Sequence, residues 1–148
     1  VTGAFAHWQN LKPEYFRLFD RVHVMAYDSD EPKHSTLEYA KLSTKTLLQK
    51  GVSPKQLCLG LPFYGRKIKN HNVEITYAEI QEKYHPAPNS DEAGEFYFNG
   101  QHTIETKTRF ALEQGLGGVM FWEIGQDTHN ETSLLGTIRA TVGAKQEN

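Results

Sequence analysis

Residues 117–123 read Gly-Gly-Val-Met-Phe-Trp-Glu, an apolar run that ends on an indole followed directly by a carboxylate. Two earlier runs share its character: Arg-Val-His-Val-Met-Ala-Tyr-Asp at 21–28, and Gln-Leu-Cys-Leu-Gly-Leu-Pro-Phe-Tyr-Gly at 56–65. All three are near-continuous rather than alternating, which is the pattern of strands buried on both faces of a parallel sheet. Helical patterns lie between them. Residues 35–51 offer Ser35 or Thr36 as a cap, an apolar face of Leu37, Ala40, Thr44, Leu47 and Leu48, and Gly51 as a stop. Residues 102–115 repeat the design, with Thr103 as the expected cap and Ile104, Thr108, Ala111 and Leu112 on one face. A third helix is predicted over 132–142, with the tail 143–148 fraying, and an earlier one over 13–20 that starts at Pro13. Strand–helix alternation predicts an α/β fold built from right-handed crossovers on a parallel sheet.

The second crossover is too long for one helix. About 50 residues separate Phe63 from Gly117, where a crossover loop normally takes a handful beyond its helix. Within them, Thr76 and Glu79 form a Thr-x-x-Glu capping box, and Asn99-Gly100 signals a turn after a short aromatic strand. Residues 67–100 are therefore expected to leave the sheet on its loop side and return before the crossover helix.

Composition narrows the function classes. The chain has 148 residues, 38% hydrophobic and 23% charged, with a formal net charge of -2. This balance carries no basic footprint for nucleic acid. No apolar run approaches the roughly 20 residues that span a bilayer. The single cysteine, Cys58, excludes an intrachain disulfide and sits in an apolar run, as a buried thiol does. The seven histidines include no His-x-x-x-His or His-x-His pair, so no zinc site is expected. Asp28-Ser29-Asp30-Glu31 lacks the glycine and distant glutamate of a calcium loop, and Gly115–Gly118 is too short for a dinucleotide fingerprint. No metal or cofactor is expected.

In parallel α/β folds, ligands bind at the carboxyl ends of the strands. That rule selects Tyr27 and Asp28, Phe63 to Arg66, and Trp122 with Glu123. Each strand ends with an aromatic ring beside a polar or charged group, as a carbohydrate site requires. The residues alone leave alternatives open. Trp122 is either a sugar platform or a plug, Tyr64 is either site or interior packing, and Arg66 is either a surface residue or a partner of Asp28. Glu123 reads as a rim salt bridge rather than a catalytic group.

Val-His-Val-Met-Ala-Tyr-Asp (22–28), Leu-Gly-Leu-Pro-Phe-Tyr-Gly-Arg (59–66) and Gly-Gly-Val-Met-Phe-Trp-Glu-Ile-Gly-Gln-Asp (117–127), in this order and spacing, resemble the last three strands of the family 18 glycoside hydrolases, the chitinase family. The resemblance covers nearly the whole chain and implies the C-terminal portion of a (β/α)8 TIM barrel. It places strands six to eight here, with a small α+β insertion at about 67–100 between strands seven and eight. A complete barrel takes about 250 residues. Residues 1–148 would therefore be a partial catalytic domain, with the N-terminal barrel portion as its missing partner.

The resemblance also implies roles. Tyr27 and Asp28 are the catalytic candidates: the Tyr hydroxyl would contact the substrate's N-acetyl carbonyl, and the Asp would help bind the sugar. Met25, Tyr64, Arg66 and Trp122 are substrate-binding candidates, with the Trp122 indole under the scissile sugar. The implied ligand is chitin or another N-acetylglucosamine glycan. The implied chemistry is retaining hydrolysis of a β-1,4 bond in which the substrate's acetamido oxygen attacks the anomeric carbon, outside the usual two-carboxylate scheme. The proton donor of that family closes an Asp-x-x-Asp-x-Asp-x-Glu pattern, which is absent from these residues. The chain alone is thus expected to be inactive. Family relatives without that glutamate act as chitin-binding lectins, which is the alternative; an unrelated α/β interaction domain is a third reading. Secretion or a periplasmic location is implied by family analogy only.

Overall fold

Four parallel strands form the main sheet: β1 (Thr2–Phe5), β2 (Arg21–Val24), β3 (Leu57–Pro62) and the strand Gly118–Trp122, in that spatial order. The computed structural model describes residues 1–146. A second, antiparallel sheet is built from β4 (Tyr64–Lys67), β5 (Asn70–Thr76), β6 (Glu92–Ala93) and β7 (Phe96–Tyr97), in the order β5-β4-β7-β6. Gly118–Trp122 is therefore β8. The described residues also form the α-helices α1 (Pro13–Phe16), α2 (Leu37–Gln49), α3 (Tyr77–Tyr84), α4 (Gln101–Glu113) and α5 (Leu134–Gln146).

The core lies on one face of the main sheet. Val22, Val24, Leu57, Leu59 and Leu61 are sealed against Ala40 and Leu47 of α2 and Ile104 and Ala111 of α4, with Val119 and Phe121 packed on the edge of the cluster. The two sheets are joined through Phe63, which is fully buried and stacks on Phe121 with ring centroids 4.7 Å apart. The opposite face carries His23, Met25, Gly60, Met120 and Trp122. A Cβ on Gly60 would stand 2.4 Å from the Val24 carbonyl and 3.0 Å from the Tyr27 ring. Glycine here lets β3 lie close to β2 and lets Tyr27 fold over the sheet. Cys58 is buried, and that burial raises its thiol pKa.

Several local expectations need correction. β8 is not buried on both faces: all of Gly118–Phe121 is half-exposed and Trp122 is 56% exposed. Its neighbour on one side only is β3, so nothing among the described residues covers Met120 and Trp122 as a full interior would. The helix predicted over 13–20 is a single turn, Pro13–Phe16. Thr103 does not cap α4. The helix starts earlier, with Gly100 at the N-cap and its N–H donating to Asp91 Oδ1 at 2.8 Å, while the Thr103 hydroxyl donates to Asp91 Oδ2 at 2.6 Å. One carboxylate thus organises the whole first turn, a favourable place for a negative charge. Asp127 does the same for α5, accepting from the N–H groups of Leu134 and Leu135 and from the Ser133 hydroxyl. Residues 143–146 continue α5, and the rest of the tail predicted to fray lies outside the described residues. Thr36 rather than Ser35 caps α2, and the Thr76–Glu79 capping box of α3 is formed in both directions.

Candidate functional site

Asp28 follows β2 with φ of 59°, a left-handed conformation that Asp tolerates better than most residues. Three side chains, two from β4 and one from the same loop, converge on one of its oxygens. The Tyr64 hydroxyl donates to Oδ1 at 2.8 Å, Arg66 Nε donates to it at 2.5 Å, and His34 Nδ1 lies 3.5 Å away. Among the described residues, Oδ2 receives no side-chain donor, and the Asp28 side chain is 41% exposed. The carboxylate is held by one oxygen and offers the other.

The electrostatics follow from this geometry. Burial alone would raise the Asp28 pKa, but the donors from His34, Arg66 and Tyr64 and the guanidinium charge overcome it and hold the carboxyl well below the usual carboxylate range. Asp28 is therefore ionised at neutral pH. Arg66 is pushed up by its hydrogen bond to Asp28 and also donates to the His71 carbonyl at 2.6 Å, with Glu74 3.5 Å away. Burial raises Tyr64 strongly, so its hydroxyl keeps its proton and remains a donor. Tyr27, 8% exposed, meets the Tyr64 ring edge-on at 6.1 Å; burial and then the Asp28 charge push it up to about 12. It too is a protonated phenol at neutral pH.

The sequence candidates are thus placed unequally. Tyr27, Asp28, Tyr64 and Arg66 form one contiguous cluster. Met25 lies two residues before Tyr27, half-buried on the uncovered face, and its N–H donates to the Phe5 carbonyl at 2.9 Å. Trp122 is joined to the cluster through the backbone: it pairs with Pro62, and its carbonyl accepts from the Phe63 N–H at 2.8 Å. No hydrogen bond or ring contact joins its indole to the other candidates among the described residues, and the side chain stands open to solvent. The Trp122–Glu123 peptide bond is cis. Glu123 is exposed and makes no ion pair among the described residues, so the expected rim salt bridge is not formed.

Sequence reading missed His34. It is fully buried, stacks on Tyr64 at 5.3 Å with 24° between planes, and meets Tyr97 edge-on at 5.9 Å. Its spacing from Asp28 carries no recognisable motif, and only the folded loop brings the two together.

The family model described as glycosyl hydrolases family 18 matches residues 4–127. The chain belongs to this family. Among curated relatives, Endochitinase 1 of Metarhizium robertsii is 22% identical over 86% of the family 18 chain and 40% of its own length. Among solved structures, the GH18 chitinase ChiB of Flavobacterium johnsoniae is 33% identical with a TM-score of 0.86, covering 95% of this chain and 48% of that one. A chitinase from Bacteroides thetaiotaomicron is 27% identical with a TM-score of 0.88, covering 99% and 53%. A plant class V chitinase from Cycas revoluta, solved in complex with (GlcNAc)3, has a TM-score of 0.79 at 23% identity. The family 18 chain spans about half the length of these relatives or less.

Proposed function

We propose that these residues are part of a glycosidase acting on β-1,4-linked N-acetylglucosamine polymers, and that they supply its substrate-binding side. In this reading β1, β2, β3 and β8 take positions five to eight of a (β/α)8 barrel, and the β4–β7 sheet with α3 is an insertion of about 67–100. Chitin or chitooligosaccharide is the ligand, no cofactor is required, and the longer protein is secreted or periplasmic. The observation that carries the reading is the Asp28 cluster. An ionised carboxylate with one free oxygen sits beside two protonated phenols and a guanidinium, at the carboxyl ends of parallel strands, where ligands of such folds bind.

Each group has a task in that chemistry. Tyr27 donates to the acetamido oxygen and orients it toward the anomeric carbon. Asp28 Oδ2 accepts from the acetamido N–H or a sugar hydroxyl, and its negative charge favours the positive charge that develops as the oxygen attacks. Tyr64 and Arg66 keep that carboxylate fixed and ionised, so no reorganisation is needed during reaction. Met25 lines the floor, and Trp122 offers an indole face for sugar C–H surface.

A lectin-like protein that binds chitin without cleaving it is the second reading; the exposed Trp122 indole and the Asp28 cluster serve it equally well, and a Glu or another residue at the end of the Asp-x-x-Asp-x-Asp-x-Glu pattern in the longer protein separates the two. Both readings require the platform. In the longer protein, Trp122→Ala is expected to weaken chitooligosaccharide binding about tenfold or more by calorimetry, since stacking and buried area of that size exceed about 1.4 kcal/mol. Unchanged affinity would remove Trp122 from the site.

A further inference from the structure

The loop that carries Asp28 is anchored from beneath by a charged group that the proposed chemistry does not use. Lys107 lies in the middle of α4 and is fully buried. Its Nζ donates to the Ser35 carbonyl at 2.9 Å, to Ser35 Oγ at 2.8 Å and to Asn99 Oδ1 at 2.6 Å. An ammonium has three protons, and it meets three acceptors here. None of them is a carboxylate. A buried amine without a direct counter-ion costs several kcal/mol to desolvate unless it is fully hydrogen-bonded, and an apolar side chain would fill the same space at lower cost. Burial pulls Lys107 down to about 7, opposed only in part by the more distant Asp91 and Glu38.

Ser35 is where this network meets the site. Its hydroxyl donates to the Ala26 carbonyl at 3.0 Å, closing the loop onto the end of β2. Its carbonyl also accepts from the Tyr97 hydroxyl at 3.2 Å and from Asn99 Nδ2 at 2.8 Å. The preceding residue is His34, whose carbonyl accepts from the Ser29 N–H at 3.0 Å and whose ring nitrogen faces the Asp28 N–H at 3.4 Å and Oδ1 at 3.5 Å. Burial lowers the His34 pKa, and the Asp28 carboxylate offsets this only in part. Both ends of the segment 28–35 are therefore tied to one point, and that point is held by α4 and by the strand β7.

We propose that Lys107 is a positioning residue for Asp28, acting through Ser35 and His34. The functional interest of this rests on Asp28 being a substrate-binding group, but its test does not. The carboxyl carbon of Asp28 is followed by carbon-13 NMR from pH 7 downward in the 148-residue chain, in Lys107→Met and in Ser35→Ala. In the wild type the signal is expected to stay ionised through the ordinary carboxylate range near pH 4. In Lys107→Met it is expected to titrate within that range, because the loop no longer presents Oδ1 to the Tyr64 hydroxyl and Arg66 Nε. Ser35→Ala is expected to shift it in the same direction. A purely structural role would lower the melting temperature of both variants and leave the Asp28 titration where it was. That result, in variants shown to be folded by circular dichroism, overturns the proposal. If Lys107→Met does not fold, Ser35→Ala, which removes a single hydroxyl, decides alone: a shift supports the relay and no shift overturns it. An Asp28 titration that follows Lys107 in a chain that binds no chitooligosaccharide would keep the relay and discard the sugar reading.

Discussion

Incubated with chitooligosaccharide, the 148 residues alone are expected to release no cleavage product above buffer. In the proposed reading the reason is a missing proton donor rather than a missing surface. A leaving oxygen needs a carboxylic acid that is still protonated near neutral pH, and such assistance is typically worth about 10²–10⁴-fold. Asp28 cannot supply it, because His34, Arg66 and Tyr64 hold its carboxyl well below the usual range. Tyr27 at about 12 is a poor acid and is engaged as a donor in the proposed site. Joined to a barrel portion that contributes a Glu from another strand, the same residues are expected to cleave, and mutating that Glu to Gln should return the rate to that of the isolated chain. Reducing-end release by the isolated chain at the rate of the joined protein would contradict this account.

The second large effect concerns stability. Lys107 titrates at about 7 in the fold and near 10.4 as an ordinary lysine. Between those values the unfolded chain binds a proton that the folded chain does not. Stability therefore rises with pH across this window, with a slope of up to about 1.4 kcal/mol per pH unit. Above pH 10 the trend reverses, because Tyr27, Tyr64, Tyr77 and Tyr97 are all raised by burial and hold protons that the unfolded chain has lost. Urea midpoints measured from pH 7 to about 8.5, below the titration of an ordinary cysteine or tyrosine, should climb in the wild type and stay level in Lys107→Met. A level wild-type profile would show that the amine is not desolvated in this way.

What was readable from sequence divides along physical lines. The three strands and their aromatic tips were legible because each is a short, local apolar run with its polar group next in the chain. The capping box at Thr76 and Glu79 was legible for the same reason: both partners lie within four residues. The Arg66–Asp28 pair was open as one of two options, since the residues are 38 apart and only the strand order brings them together. Thr103 misled because a good capping residue was claimed by Asp91, whose reach across the loop moved the helix start back to Gln101. Lys107 was invisible. It falls three residues after Ile104 and four before Ala111, on the apolar face of the helix, but nothing local marks Ser35, 72 residues away, as its partner. The exposure of Met120 and Trp122 was also illegible, because a strand's hydrophobicity does not say whether the strands that would cover it belong to the same stretch of chain.

The central claim is that Tyr27, Tyr64 and Trp122 serve one N-acetylated sugar chain. Titration of the protein with N-acetylglucosamine trimer, followed through the Trp122 indole N–H and the Tyr27 and Tyr64 ring signals, tests it most directly. The account predicts that all three move together along a single binding curve. An indole signal that stays fixed while the tyrosine rings respond, or saturable shifts confined to another surface, would contradict it.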